Sequence, residues 1–153
     1  MVEIRRITFI GSGAMGEAMI KGMVAQEVVQ APQIMASDPV LARREQMKSQ
    51  FGVTTTDSNR AGVQDADVVV LSVKPQILPK VMAELKGNIP SDALVLSIVA
   101  GVPIATMQKA LGHDRIVRTM PNTPAQVGKG MTVWVATPKV SADQRVLTQR
   151  ILN

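Results

Sequence analysis

Short runs of Val, Ile, Leu and Phe recur along this chain, separated by stretches in which apolar side chains return every three or four positions. The first pattern is that of strands and the second that of amphipathic helices. Strands are predicted over residues 4–10, 33–37, 52–56, 67–73, 93–99, 116–119 and 131–136, and helices over 14–26, 40–51, 58–64, 76–85, 103–111 and 141–152. The 67–73 segment is nearly all Val and Leu without alternation, and 93–99 is similar; such strands are covered on both faces in the middle of a parallel sheet. In 14–26 the apolar face reads as Ala14, Met15, Ala18, Met19, Gly22 and Met23, with the three methionines as a stripe against the sheet. Asp38-Pro39 suits the start of the second helix, Asp as a cap and Pro in the first turn. Pro103 opens and Gly112 closes the fifth. Strands alternating with helices of this length imply βαβ units, right-handed crossovers and a doubly wound, mainly parallel α/β sheet with helices on both faces.

The end of the first strand sharpens this picture. Gly11-Ser12-Gly13-Ala14-Met15-Gly16 is a G-x-G-x-x-G segment with a strand before it and a helix after it. That context is what the dinucleotide fingerprint of a Rossmann-type fold requires. Gly11 permits the tight turn, Gly13 the approach of a pyrophosphate, and Gly16 close packing of helix on strand. Ligands of open α/β sheets lie beyond the carboxyl ends of the strands, so what each strand delivers there matters. The second delivers Ser37 and Asp38. Asp38 lies where an acidic side chain accepts hydrogen bonds from the adenosine ribose, or it caps the next helix, or both. The fourth delivers Ser72-Val73-Lys74-Pro75, with Lys74 placed to meet an anion, and the fifth leads to Ala100-Gly101. Arg118-Thr119-Met120-Pro121-Asn122-Thr123-Pro124 presents amide and hydroxyl groups on a proline-stiffened backbone.

Composition narrows the classes. With 153 residues, 46% hydrophobic and 19% charged, the chain fits one folded domain and not a disordered one. No apolar run reaches the length of a membrane span, the N-terminus carries no signal-peptide core, and cysteine is absent. A cytoplasmic enzyme domain without a membrane partner is expected. The charge of +5 comes from scattered basic residues, and only Phe9, Phe51 and Trp134 could stack on bases. Nucleic acid is therefore not the expected partner, while an anionic ligand suits the balance. His113, after Gly112 and beside Asp114, reads as a solvated helix end rather than a base. No metal-ligand spacing and no catalytic triad is visible, so no catalytic residue is assigned. The last helix opens well at Ser141-Ala142-Asp143-Gln144 but stops on Ile151-Leu152 without a cap. Residues 1–153 thus read as one dinucleotide-binding domain cut from a longer chain.

Four segments together resemble the N-terminal, nucleotide-binding half of the Δ1-pyrroline-5-carboxylate reductase family. They are Gly11 to Met19, Val70-Leu71-Ser72-Val73-Lys74-Pro75-Gln76, Ser97-Ile98-Val99-Ala100-Gly101-Val102, and Arg118 to Ala125. The resemblance implies an NAD(P)H-dependent oxidoreductase that moves hydride to the C=N bond of a cyclic imine carboxylate, giving L-proline. It implies that Gly11, Ser12, Gly13, Ala14, Met15 and Gly16 hold the pyrophosphate, and Ser37 with Asp38 the ribose. Asn59 would lie near the adenine. Ser72, Val73, Lys74, Pro75, Ala100 and Gly101 would line the channel, with Pro121, Asn122 and Thr123 near the nicotinamide. The imine would take its proton from solvent. Family members carry a further helical domain that forms the homo-oligomer and contacts the substrate carboxylate; this sequence does not include it, and by itself is expected to bind cofactor with little or no turnover. The family commonly prefers NADPH, whereas Asp38 leans to NADH. A carboxylate about 5 Å from a 2′-phosphate costs roughly 3 kcal/mol per unit charge at an effective dielectric near 20, unless Arg43 and Arg44 turn back to offset it. Alternatives are a related reductase of the deazaflavin-dependent NADP type, a β-hydroxyacid dehydrogenase, or a stand-alone nucleotide-sensing module.

Overall fold

The computed structural model describes residues 4–120 and 133–152. Seven strands form one sheet: β1 (Ile7–Ile10), β2 (Ile34–Ser37), β3 (Thr54–Thr56), β4 (Val68–Leu71), β5 (Leu94–Ser97), β6 (Ile116–Met120) and β7 (Val133–Ala136). Their spatial order is β3-β2-β1-β4-β5-β6-β7. All neighbours are parallel except the final pair, β6 with β7. The helices are α1 (Ala14–Ala25), α2 (Leu41–Phe51), α3 (Asn59–Val63), α4 (Leu78–Leu85), α5 (Ile104–Leu111) and α6 (Ala142–Leu152). The doubly wound α/β architecture expected from the sequence is the one observed.

Alternate residues of the buried strands feed two separate cores, because successive side chains point to opposite faces. Phe9, Val68, Val70, Leu94 and Leu96 face Ile20 and Met23 of α1, Met47 of α2, and Leu147 and Ile151 of α6. Ile10, Val69, Leu71 and Val95 face Val63 of α3, Leu78, Val81 and Leu85 of α4, and Met107 and Leu111 of α5. Each such side chain taken fully out of water contributes about 1.5–3 kcal/mol. The four-residue β4, buried along its whole length, is thus the spine of both cores.

Three local expectations are corrected. The first strand begins at Ile7 and not at residue 4, because the Asp67 carboxylate takes the backbone N–H groups of Arg5 and Arg6 at 2.7 and 3.2 Å. On α1 the buried positions are Gly16, Ile20 and Met23. Met15 is 64% exposed and Met19 only partly buried, so of the three methionines only Met23 joins the core, while Gly16 takes the strand side. His113 is not solvated. It is buried, with Nε2 2.7 Å from the Ala93 carbonyl oxygen, which ties the end of α5 to the start of β5.

The last described helix begins as its sequence promises. Ser141 Oγ accepts from the Gln144 N–H at 3.1 Å, and Gln144 Oε1 accepts from the Ser141 N–H at 3.0 Å. This reciprocal pair satisfies two backbone donors that the first turn leaves open. Gln144 also donates to the Asp92 carbonyl at 2.8 Å and accepts from Arg115 at 3.1 Å.

Candidate functional site

One row of residues crosses the sheet at its carboxyl edge. Thr56 pairs with Ser37, Ser37 with Ile10, Ile10 with Leu71, Leu71 with Ser97, and Ser97 with Arg118. The expected site residues within the described chain follow this row by a few positions, so strand register alone collects them on one rim. β1 has β2 on one side and β4 on the other. The chain reverses its winding direction there, and that is where open α/β sheets form a ligand crevice.

The glycine loop lies at this reversal. Gly11 has φ of +92°, and a Cβ there would come within 2.8 Å of Val73 Cγ1 and 3.0 Å of the Ser72 carbonyl oxygen. Gly16 is shut in equally: a Cβ would meet the Gly11 carbonyl oxygen at 2.9 Å and Ser72 Oγ at 3.1 Å. Gly13 differs, with nothing within 4 Å of the place a Cβ would take. It is the N-cap of α1 and provides no side-chain cap; the helix makes its first internal bond from Glu17 N–H to the Gly13 carbonyl. The N–H groups of Ala14, Met15 and Gly16 precede that bond, at the positive end of the helix dipole. Open ground above Gly13 and an uncapped first turn suit a phosphate group.

Around the loop the side chains sort into those that face outward and those that hold it from beneath. Gly13, Ala14, Met15, Lys74, Pro75, Ala100 and Gly101 are exposed on the rim. Ser72 donates its hydroxyl inward, 2.7 Å from the Gly11 carbonyl oxygen and 3.1 Å from that of Ile10. Val73 packs under Gly11. Ser37 is only 1% exposed and donates to Asn59 Oδ1 at 2.6 Å, while Asn59 Nδ2 donates to Glu84 at 3.2 Å. The Ser37 side chain therefore steadies Asn59 rather than reaching the rim. Pro121, Asn122 and Thr123 lie outside the described residues.

Asp38 is not the N-cap of the second helix that the sequence suggested, but it braces the turn before it and the glycine loop at once. Its Oδ1 accepts from the Val40 N–H at 2.9 Å, closing the turn ahead of α2, whose N-cap is Val40 itself. Its Oδ2 accepts from Ser12 N–H at 3.1 Å and Ser12 Oγ at 2.8 Å. Both arginines of α2 turn back toward this corner. Arg43 donates from Nε to the Ser12 carbonyl and sets Nη2 3.3 Å from Glu17 Oε1. Arg44 donates to the Asp38 carbonyl at 2.8 Å. The pairing of Arg43 with Glu17 was not foreseen, since neither the spacing nor the residue types link α2 to the first turn of α1. At the other end of the row, Arg118 Nε is buried and has no hydrogen-bond partner among the described residues. Among those residues no cluster of three His, Asp or Glu could hold a metal ion, and no helix is long and apolar enough to cross a membrane.

Residues 6–101 match the family model described as NADP oxidoreductase, coenzyme F420-dependent. The chain belongs to that family. It is also 44% identical over 140 residues to a pyrroline-5-carboxylate reductase of Pseudomonas aeruginosa, covering 91% of this chain and 51% of the relative. A solved pyrroline-5-carboxylate reductase of Coxiella burnetii superposes with a TM-score of 0.88 at 37% identity, covering 98% of this chain and 56% of that one. The Plasmodium falciparum pyrroline carboxylate reductase, solved with NADP bound, gives 0.80 at 25% identity over 97% of this chain and 54% of that one. The chain thus spans about half the length of the curated relatives it matches.

Proposed function

We propose that this chain is the NAD(P)H-binding domain of a pyrroline-5-carboxylate reductase, a cytoplasmic enzyme of proline synthesis that works on small molecules and not on nucleic acid or membranes. The observation that carries the reading is the 37% identity, at a TM-score of 0.88, to a solved reductase across 98% of the chain. Residues 1–153 form the dinucleotide domain. A further half, of the size that the relatives possess, contacts the substrate carboxylate and builds the homo-oligomer.

In this reading the first turn of α1 and the backbone of Gly11 to Gly16 bind the pyrophosphate, and Ser72 keeps the Gly11 turn in shape beneath it. Asp38, with Asn59 steadied by Ser37, borders the adenosine. Lys74, Pro75, Ala100 and Gly101 border the channel, and Pro121, Asn122 and Thr123 are the residues proposed to serve the nicotinamide. Bound reduced nicotinamide supplies the hydride. The protein supplies orientation and exclusion of water, which suffices for a reaction whose chemistry belongs to the cofactor. No general base is needed, and the imine nitrogen takes its proton from solvent.

The test has two parts. Titration calorimetry of the 153-residue chain with NADPH and NADH is expected to give saturable binding of at least one; binding of neither sinks the reading. The chain fused to the remaining half of the Pseudomonas aeruginosa relative is then expected to consume reduced nicotinamide when given the cyclic imine. A second reading rests on the family model's own description. Turnover of a deazaflavin by the same fusion, with none of the imine, would favour it.

A further inference from the structure

We infer that the Ser12 hydroxyl determines cofactor choice, by holding the Asp38 carboxylate away from the ribose. The inference rests on the cofactor reading above and deepens it at one corner of the site. An ionised carboxylate has about four acceptor positions. Three of those on Asp38 are filled from inside the protein: two on Oδ2 by Ser12 N–H and Oγ, and one on Oδ1 by Val40 N–H. One remains. A ribose whose two hydroxyls both seek the acid therefore finds room for a single bond. The same three donors draw off negative charge that would otherwise meet a 2′-phosphate.

Ser12 is fixed on every side. The residue is fully buried, its N–H and hydroxyl are committed to Asp38, and its carbonyl accepts from Arg43. Arg43 is in turn paired with Glu17, and Arg44 holds the Asp38 carbonyl. Two guanidinium groups thus stand beside an acid that is already engaged. In this state the corner tolerates a 2′-phosphate despite carrying the residue that ordinarily selects a 2′-hydroxyl. Removing the hydroxyl of Ser12 returns an acceptor position to Oδ2 and loosens the side chain toward the ligand. Ser12 is a positioning residue here, acting through Asp38.

The experiment is a double-mutant cycle on the 153-residue chain, with dissociation constants for NADPH and NADH measured for each member and a nucleotide-free melt as a folding control. Ser12→Ala is expected to raise the ratio Kd(NADPH)/Kd(NADH) about fivefold, the effect of one charge-assisted hydrogen bond redirected to ribose. Asp38→Ala is expected to lower the ratio. Adding Ser12→Ala to Asp38→Ala is expected to leave the ratio of the single Asp38 variant unchanged, because coupled residues are not additive. Equal weakening of both nucleotides by Ser12→Ala overturns the inference, since it places Ser12 on the shared pyrophosphate. The same ratio change in both backgrounds also overturns it. If Ser12→Ala does not melt cooperatively, Ser12→Cys and Ser12→Thr replace it. Thr keeps the hydroxyl and is expected to keep the native ratio, whereas Cys is expected to shift it as Ala would; a shift with Thr as large as with Cys overturns the inference. Failure of the unmutated chain to bind either nucleotide counts against the cofactor reading, not against this coupling.

Discussion

Gly11 and Gly13 stand two positions apart in one loop, and their surroundings demand opposite outcomes on substitution. At Gly11, a methyl group must occupy a left-handed backbone and overlap both Val73 and the Ser72 carbonyl. Gly11→Ala is expected to lose at least about 2 kcal/mol of stability, read from the urea midpoint at constant slope. Gly13 has extended backbone, with φ of −68° and ψ of −171°, and open space around its Cβ position. Gly13→Val is expected to cost no more than about 1 kcal/mol, the difference between Gly and a β-branched residue at an N-cap. It should nonetheless weaken NAD(P)H binding about tenfold or more, because the new side chain stands where the pyrophosphate approaches. A variant that binds normally would remove Gly13 from the site. The sequence motif assigned three glycine tasks; that Ser72 crowds the two at Gly11 and Gly16 from the end of the neighbouring strand was not legible, because it depends on how β1 and β4 pair.

At the scale of elements, α6 is held by Gln144 as well as by its apolar face. That one side chain caps the helix, reaches the Asp92 carbonyl and receives Arg115. Gln144→Ala is expected to cost about 2 kcal/mol in chemical denaturation, more than the roughly 1 kcal/mol of losing the Ser141 cap. Equal costs for the two variants would show that the bonds beyond the cap contribute nothing. His113 has a comparable structural duty at the same end of β5: His113→Ala leaves the Ala93 carbonyl without this partner, and a loss of about 1–3 kcal/mol is expected in the same assay. Element types were legible from periodicity, whereas caps were less so: Val40 and not Asp38 is the N-cap of α2. Phase was harder: on α1 the run of apolar residues is wide enough to suit two faces, and the close approach of Gly16 to Gly11 and Ser72 chose the one that exposes Met15.

The whole molecule has its candidate site on the rim of a seven-stranded sheet with a core on each face. Ligand binding at that rim is therefore expected to stabilise the entire domain. NADPH at about a hundred times its dissociation constant adds about 2.7 kcal/mol, which for a domain of this size raises Tm by roughly 5–10 °C. Scanning calorimetry at several nucleotide concentrations checks it, and a Tm independent of concentration would argue against a site that belongs to the native fold.

Alternation of strand and helix patterns, the G-x-G-x-x-G spacing and the chemistry of the strand ends were fixed by local rules, so the sequence by itself determined the fold class and the edge on which to look. Register was different. Only the tertiary structure set Ser37, Ile10, Leu71, Ser97 and Arg118 in one row, turned Ser37 and Ser72 inward, buried His113, and closed Ser12 onto Asp38. These outcomes rest on contacts between residues far apart in the chain, where packing against both faces of the sheet, and not any nearby residue, decides which way a side chain points.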